Sequence, residues 1–345
     1  MNELLIFACA VGAFAGALLL TRLAIHIAHA LDVIDHPNHR SSHQHPTPRL
    51  GGVAIALAAS ATLLLWGVFG LPGSRQLTAI LAGCAALGTI GVIDDFRSAR
   101  ASLRLAVQAL VVGGIVLFYF PLATTPWLWV AVALLAAIWF VNLFNFMDGL
   151  DGFASSEAIF VLGFTGVVGL RAGDPLIAGT SLITAAAVGG FLPWNWSPAK
   201  TFLGDGGSYW VGAFLMATLV AGLARGVLPL SVVLILPAPF VADATICILR
   251  RTVRRERIWV GHRLHAYQRA ADRLGGARPV VLGVIMLNLA VVLPCAVLAL
   301  AAPALQWVVV GSAYAVLTTI ALGFGSGARS IVTDGDAMAI LPRGR

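Results

Sequence analysis

Apolar runs of about 20 residues, long enough to cross a hydrocarbon core of about 30 Å as a helix, recur along the whole chain. Eleven are predicted, at roughly 3–25, 51–70, 77–93, 104–121, 126–145, 153–170, 176–194, 207–224, 228–248, 279–301 and 304–323. The breaks between them fall at polar or Gly/Pro punctuation such as Leu71-Pro72-Gly73-Ser74 and Gly173-Asp174-Pro175. The pattern predicts an all-α polytopic transmembrane helix bundle, with residues 1–345 as a single integral membrane domain. No repeat of solenoid type is visible. Residues 3–20 are too long for a signal-peptide core and have no basic leader or clear cleavage site. They read as a retained first membrane helix.

The connections are of two kinds. One set is short and nearly featureless: 71–76, 122–125, 171–175, 225–227 and 302–303. The other is long and polar: 26–50, 94–103, 146–152, 195–206, 249–278 and the tail 324–345. Lys200 is the single lysine, and of the arginines only Arg75, Arg171 and Arg225 belong to the short set. Basic residues collect on the cytoplasmic side of membrane proteins. The long set is therefore expected in the cytoplasm, with the N-terminus outside and the C-terminus inside.

Composition sharpens this picture. The 345 residues are 59% hydrophobic and 11% charged, against about 45–50% apolar and about 25% charged in an average soluble domain. A water-soluble enzyme and a disordered chain are both excluded. The net charge of +7 then reads as membrane orientation rather than nucleic-acid binding. Cys9, Cys84, Cys247 and Cys295 lie in apolar stretches with no CxxC spacing and read as buried small hydrophobes.

Carboxylates at a membrane are expensive and usually functional. Asp94, Asp95, Asp148, Asp151, Asp205 and Asp243 stand at the predicted cytoplasmic ends of apolar spans. In the segment from Asn142 to Gly152, Asn142, Asn145, Asp148 and Asp151 recur every three residues. On a helix that spacing makes one polar strip, which must face the bundle interior or a wet cleft. Asn and Asp oxygens are hard ligands suited to Mg²⁺, which binds one or two carboxylates and keeps positions for phosphate oxygens. Structural ion pairing with nearby Arg is the competing reading for each Asp. Asp205 lies in Gly204-Asp205-Gly206-Gly207 before a predicted helix, where amides favour an anion. A carboxylate beside a phosphate needs a cation between them, so this segment suggests Asp, metal and phosphate together. Asn195 and Lys200 precede it.

Two loops add basic groups. Residues 249–278 carry His262 and His265 within Gly261-His262-Arg263-Leu264-His265-Ala266-Tyr267-Gln268-Arg269. Zinc is disfavoured there because no third ligand is apparent in the sequence; imidazole and guanidinium donors for a diphosphate fit better. The Arg250–Arg257 run reads as a topology anchor at anionic headgroups. The first loop, Asp35 to Gly52, combines His36, His39, His43 and His45 with Arg40 and Arg49 beside a Pro/Gly-rich turn, a weak phosphate or headgroup signal.

Together these segments resemble the polyprenyl-phosphate N-acetylhexosamine-1-phosphate transferase family. Five motifs occur in family order: Asp35 to Gly52, Asp94-Asp95, the NxxNxxDGxDG pattern of Asn142 to Gly152, Asn195 with Pro198-Ala199 and Phe202-Leu203-Gly204-Asp205, and Gly261 to Arg269. Pro48-Arg49-Leu50-Gly51-Gly52 and His262-Arg263-Leu264-His265 depart from the peptidoglycan branch, whereas Arg40-Ser41-Ser42-His43 and His265-Ala266-Tyr267-Gln268 are closer to the O-antigen-initiating branch.

The resemblance implies transfer of N-acetylhexosamine-1-phosphate from a UDP-N-acetylhexosamine to undecaprenyl phosphate, releasing UMP, in the bacterial inner membrane with the site facing the cytoplasm. It implies Mg²⁺, or Mn²⁺ in its place. Asp205 is expected as a direct ligand, with Asn195 nearby and Asp94 or Asp95 completing the set. The family's proposed general base falls on Asp94. A phosphate monoester with a second pKa of about 6 is mostly dianionic at neutral pH, so a charge-positioning role serves as well. Asn145, Asp148 and Asp151 are expected to recognise the nucleotide or support the metal site. His262, His265 and Arg269 are expected to hold the diphosphate or sugar, and Arg49 a phosphate. Partners are the lipid bilayer and these two substrates, with no nucleic acid; a homodimer is among the expectations. Against a transporter stands the one-sided placement of the polar clusters. Against a CDP-alcohol phosphotransferase stands Phe153-Ala154 where Ala-Arg should follow Asp151-Gly152.

Overall fold

Ten helices among the described residues are long and apolar enough to cross a membrane. The computed structural model describes residues 2–37, 45–69, 74–97, 100–256 and 262–328. His39, Arg40, His43, Leu71-Pro72-Gly73, Arg257, Gly261 and the tail beyond 328, all of which the sequence reading touched, lie outside the described residues.

In chain order the helices are α1 (Asn2–Ala30), α2 (Gly51–Val68), α3 (Ser74–Phe96), α4 (Ala101–Tyr119), α5 (Trp127–Met147), α6 (Phe153–Arg171) and α7 (Pro175–Asn195). They continue with α8 (Gly204–Ala224), α9 (Leu230–Ile235), α10 (Ala238–Val253), α11 (Ala266–Leu274), α12 (Ala277–Leu287), α13 (Leu293–Ala301) and α14 (Gln306–Gly323). A π-helical turn, Asn288–Val292, joins α12 to α13 so that 277–301 runs as one span. The chain is an all-α integral membrane protein. Its outward helix faces carry exposed apolar side chains such as Leu4, Val68, Leu110 and Leu135, as lipid contact requires.

Each predicted run is helical, with one difference. The run expected at 228–248 is divided at Leu236-Pro237 into α9 and α10. Proline lacks an N–H donor and its ring clashes with the preceding turn; Pro237 and Pro239 lie at the break. Neither half is long enough to cross alone. Within the long polar connection 249–278 the structure forms α11.

Helix α8 is the axis of the bundle. Of its most apolar 18-residue stretch 83% is buried, against 22% for α1. Trp210 and Phe214 stack at 5.1 Å between centroids inside it, and α2, α3, α4, α5 and α6 pack around it. The N-terminus of α8 meets the C-terminus of α3 and the turn after α5, so the acidic motifs converge at one end.

Candidate metal and phosphate site

A two-residue antiparallel pair, β1 (Ile34–Asp35) with β2 (Thr47–Pro48), presents the chain entering α2. That chain is hydrogen-bonded to the segment entering α8. Phe202 donates its N–H to the Pro48 carbonyl at 2.8 Å, Gly51 to Phe202 at 3.1 Å and Gly52 to Leu203 at 3.0 Å. Gly204 turns into α8 at φ +71°, and a Cβ there would stand 2.1 Å from the Arg49 carbonyl oxygen. Only glycine fits this conformation at this approach.

The first turn of α8 leaves backbone N–H groups without helical acceptors. Asp95 supplies them: its Oδ1 accepts from the Asp205 N–H at 3.0 Å and its Oδ2 from the Gly206 N–H at 2.9 Å. Asp95, expected among the catalytic acids, is thus a positioning residue that caps α8. Arg49 pairs with Asp35 and lies within electrostatic reach of Asp95.

Asp94 and Asp205 have their carboxyl groups within hydrogen-bonding reach of each other. Two carboxylates side by side repel unless a proton or cation lies between them. Arg104, at the start of α4, forms an ion pair with Asp94. Asn145 donates from Nδ2 to Asp205 Oδ1 at 2.8 Å and to Ser208 Oγ at 2.7 Å, which fixes the Asp205 rotamer. The Asp148 carboxylate has no hydrogen-bond partner among the described residues, while its N–H donates to the Asn145 carbonyl at 3.3 Å. Burial, and then the charges of Asp205, Asp95 and Asp151, hold its carboxyl well above the usual range. The structure therefore brings Asp94, Asp95, Asp148, Asp205 and Asn145 together.

The expected polar strip is shorter than its spacing suggested. Helix α5 ends at Met147 and Asp148 is already in the turn. Asn142, one turn deeper, donates to Gln108 Oε1 at 2.8 Å. Asp151 is turned away and accepts from the Ala199 N–H at 3.0 Å. The glycines at 149 and 152 end the helix before the series can continue.

Asn195 differs most from expectation. Its Oδ1 accepts from the Gly152 N–H and Ser155 Oγ, both at 3.0 Å, and its Nδ2 donates to the Thr201 carbonyl at 3.1 Å. An oxygen holding two donors has little left for a cation. Asn195 is a clamp joining the 148–152 turn to the 195–204 loop, 2% exposed. Asn195→Ala is therefore expected to cost about 1–3 kcal/mol by leaving these partners unsatisfied, read as a lowered thermal midpoint in detergent. Apparent Mg²⁺ affinity should stay within about two-fold. A ligand role would instead weaken binding by about 10-fold or more.

The basic loop forms a second cluster. Asp243 on α10 caps α11 by accepting from the Ala266 N–H at 2.8 Å and the Tyr267 N–H at 3.2 Å, and it accepts from Ser326 Oγ at 2.5 Å. Tyr267 stacks on Phe153 at 4.9 Å and donates its hydroxyl to the Phe146 carbonyl at 3.0 Å. The start of α11 is thereby docked on the turn that carries Asp148. His262 and His265 stack at 4.9 Å, and Cys247 of α10 lies beside both. Burial opposes the charged form of His265, but Asp243 and Cys247 outweigh it and lift its pKa to about 9. Burial, with His265 and Arg251, lowers His262 to about 4. Arg269 donates to the Ala328 carbonyl, so its guanidinium is tied to the segment after α14 rather than directed at the acidic cluster.

Arg104 and Ser208 are absent from the residues expected on sequence grounds, and Cys247 is expected there only as a buried small hydrophobe. Arg104 was visible as a lone cation opening an apolar span; Ser208 and Cys247 carried no spacing signal.

Residues 77–223, which span the acidic cluster from α3 through α8, match the family described as Glycosyl transferase family 4. The chain is 30% identical over 270 residues to a probable undecaprenyl-phosphate N-acetylglucosaminyl 1-phosphate transferase of Bacillus subtilis, covering 73% of each chain. It is 30% identical over 295 residues to a decaprenyl-phosphate N-acetylglucosaminephosphotransferase of Mycobacterium tuberculosis, covering 74% of this chain and 73% of the relative. It is 31% identical over 206 residues to a phospho-N-acetylmuramoyl-pentapeptide-transferase of Streptococcus pyogenes, covering 51% of this chain and 59% of the relative. With five motifs in order, a shared acidic end and this breadth of similarity, the chain belongs to the polyprenyl-phosphate N-acetylhexosamine-1-phosphate transferases of glycosyl transferase family 4.

Proposed function

We propose that this protein transfers N-acetylhexosamine-1-phosphate from a UDP-N-acetylhexosamine to undecaprenyl phosphate in the bacterial inner membrane, releasing UMP on the cytoplasmic side. The observation that carries the reading is the meeting of Asp94, Asp148 and Asp205 from three segments at one end of the bundle. Ends of membrane helices are where a lipid phosphate and a water-borne nucleotide can meet. A transporter would place such groups near the midplane.

The donor set fits Mg²⁺. Asp94 and Asp205 offer hard oxygens at contact distance, Asp148 a carboxylate with no hydrogen-bond partner among the described residues, and the positive charge nearby comes from Arg104 and Arg49. Asp205 and Asp94 would hold the ion, with Asp148 beside them. When bound, Mg²⁺ supplies charge neutralisation for the diphosphate and the leaving UMP.

The chain's own residues do the positioning that phosphoryl transfer mainly requires. Asp95 fixes the backbone of Asp205 through the α8 cap, and Asn145 fixes its side chain. Arg104 balances Asp94, so Asp94 serves by holding charge in place. A dianionic lipid phosphate attacks without first losing a proton. The loop around His262 and His265 reaches the site through Tyr267 and borders the space where a sugar would lie. The relatives that cover about three quarters of this chain carry N-acetylglucosamine in their names, and the pentapeptide transferase covers half. This favours N-acetylglucosamine or a close hexosamine, in an O-antigen or other envelope polysaccharide pathway.

The test is release of radiolabelled UMP by purified protein in detergent, across a panel of UDP-sugars. Release should require both polyprenyl phosphate and Mg²⁺, with Mn²⁺ partly replacing it. Release from no UDP-sugar, or release independent of lipid phosphate, overturns the reading.

A further inference from the structure

The Cys247, His262 and His265 side chains have no part in the acidic cluster, yet they converge. One potential ligand atom from each lies within 4.8 Å of the other two. Cys247 is fully buried and His265 is 3% exposed, while His262 is half-buried and leaves one open side. Nδ1 of both imidazoles is buried without a hydrogen-bond partner. Unpaired buried polar nitrogens cost free energy, and these two adjoin a thiol. Asp243 stands at the same place, with Oδ1 3.8 Å from His265 Nδ1.

We propose that Cys247, His262 and His265 form a Zn²⁺ site, distinct in ligands and chemistry from the acidic cluster. Thiolate and imidazole are donors that zinc accepts and Mg²⁺ does not. Zinc bond lengths with tetrahedral angles put ligand atoms about 3.3–3.8 Å apart. With one atom of each within 4.8 Å of the others, the trio needs to close by about an ångström around the ion. A water completes four ligands, since Asp243 Oδ1 already accepts from the Ala266 N–H and Ser326 Oγ; Asp243 orients His265 through the shared cap of α11.

The site would link α10 to the loop entering α11. That loop bears on the reaction centre, because Tyr267, two residues beyond His265, holds the Phe146 carbonyl and packs on Gly149. The bound ion thus braces the turn of Asp148 from outside the membrane.

Co²⁺ is the direct probe. Metal-stripped full-length protein in detergent, titrated with Co²⁺, should develop a thiolate-to-cobalt charge-transfer band in the near ultraviolet at about one ion per chain. Zn²⁺ should displace it, and a large excess of Mg²⁺ should not. Cys247→Ser should abolish the band, and His262→Ala should weaken Co²⁺ binding by about 10-fold or more. Absence of the band in folded wild-type protein overturns the proposal. So does a band that persists in Cys247→Ser, since it would come from another cysteine. Should Cys247→Ser fail to fold, the wild-type stoichiometry and His262→Ala decide. None of these readouts depends on UMP release, so this site and the transferase reading stand or fall separately.

Discussion

Asp205→Asn is expected to reduce UMP release by about 10³-fold or more at saturating Mg²⁺, comparable to losing a preorganised charge-stabilising group. The substitution is nearly isosteric, and its amide oxygen can still accept from Asn145, which lies 2.8 Å from Asp205 Oδ1. Position and packing are therefore kept while one negative charge is lost. The fold should respond in the opposite direction. Asp205 lies against Asp94, with Asp95 and Asp148 in the same field, so in metal-free protein the substitution removes repulsion. The thermal midpoint without Mg²⁺ should stay level or rise, and the increase in midpoint on adding Mg²⁺ should shrink. Loss of activity together with gained apo stability is the signature of a charge kept for function at a cost to the fold. Near-normal turnover would remove Asp205 from the site. A large fall in the midpoint would show a structural acid instead.

The helices were legible because a membrane imposes one period and one length on every span. The acidic site was legible because Asp94-Asp95, Asn145 with Asp148, and Asp205 stand in short glycine- or asparagine-marked motifs at the ends of those spans. What was not legible depends on hydrogen bonds between distant segments. Nothing local distinguishes Asn145, which orients Asp205, from Asn195, whose oxygen is taken by Gly152 and Ser155. Asp95 and Asp94 are adjacent, yet successive residues on a helix point about 100° apart; one caps α8 and the other pairs with Arg104. Cys247 and His265 are separated by the whole basic loop, so no spacing rule joins them. The break at Pro237 was written in the sequence, but the apolar run around it masked the signal.

Gly91→Ala is the other substitution with a large expected effect, although residue 91 has no chemistry. A Cβ at this position on α3 would stand 2.3 Å from the Asp205 carbonyl oxygen and 2.7 Å from the Gly206 amide nitrogen. Both are backbone atoms at the start of the most buried helix, so no side chain can rotate out of the way. Helices α3 and α8 must separate, at a cost of about 1–3 kcal/mol for overpacking. The separation acts where Asp95 caps α8 and where Asp94 faces Asp205, so it spreads the carboxylates. A displacement of about 1 Å in a reacting constellation costs about 10²-fold in rate, and UMP release should fall by that much even in the fraction that remains folded. Gly114→Ala on α4 is the control, since a Cβ there meets nothing within 4 Å. Alanine is the better helix former by about 1 kcal/mol, so that variant should hold or raise the midpoint and keep full turnover. If Gly91→Ala matched the control in both readouts, the close crossing of α3 and α8 would not be what holds the acidic cluster together.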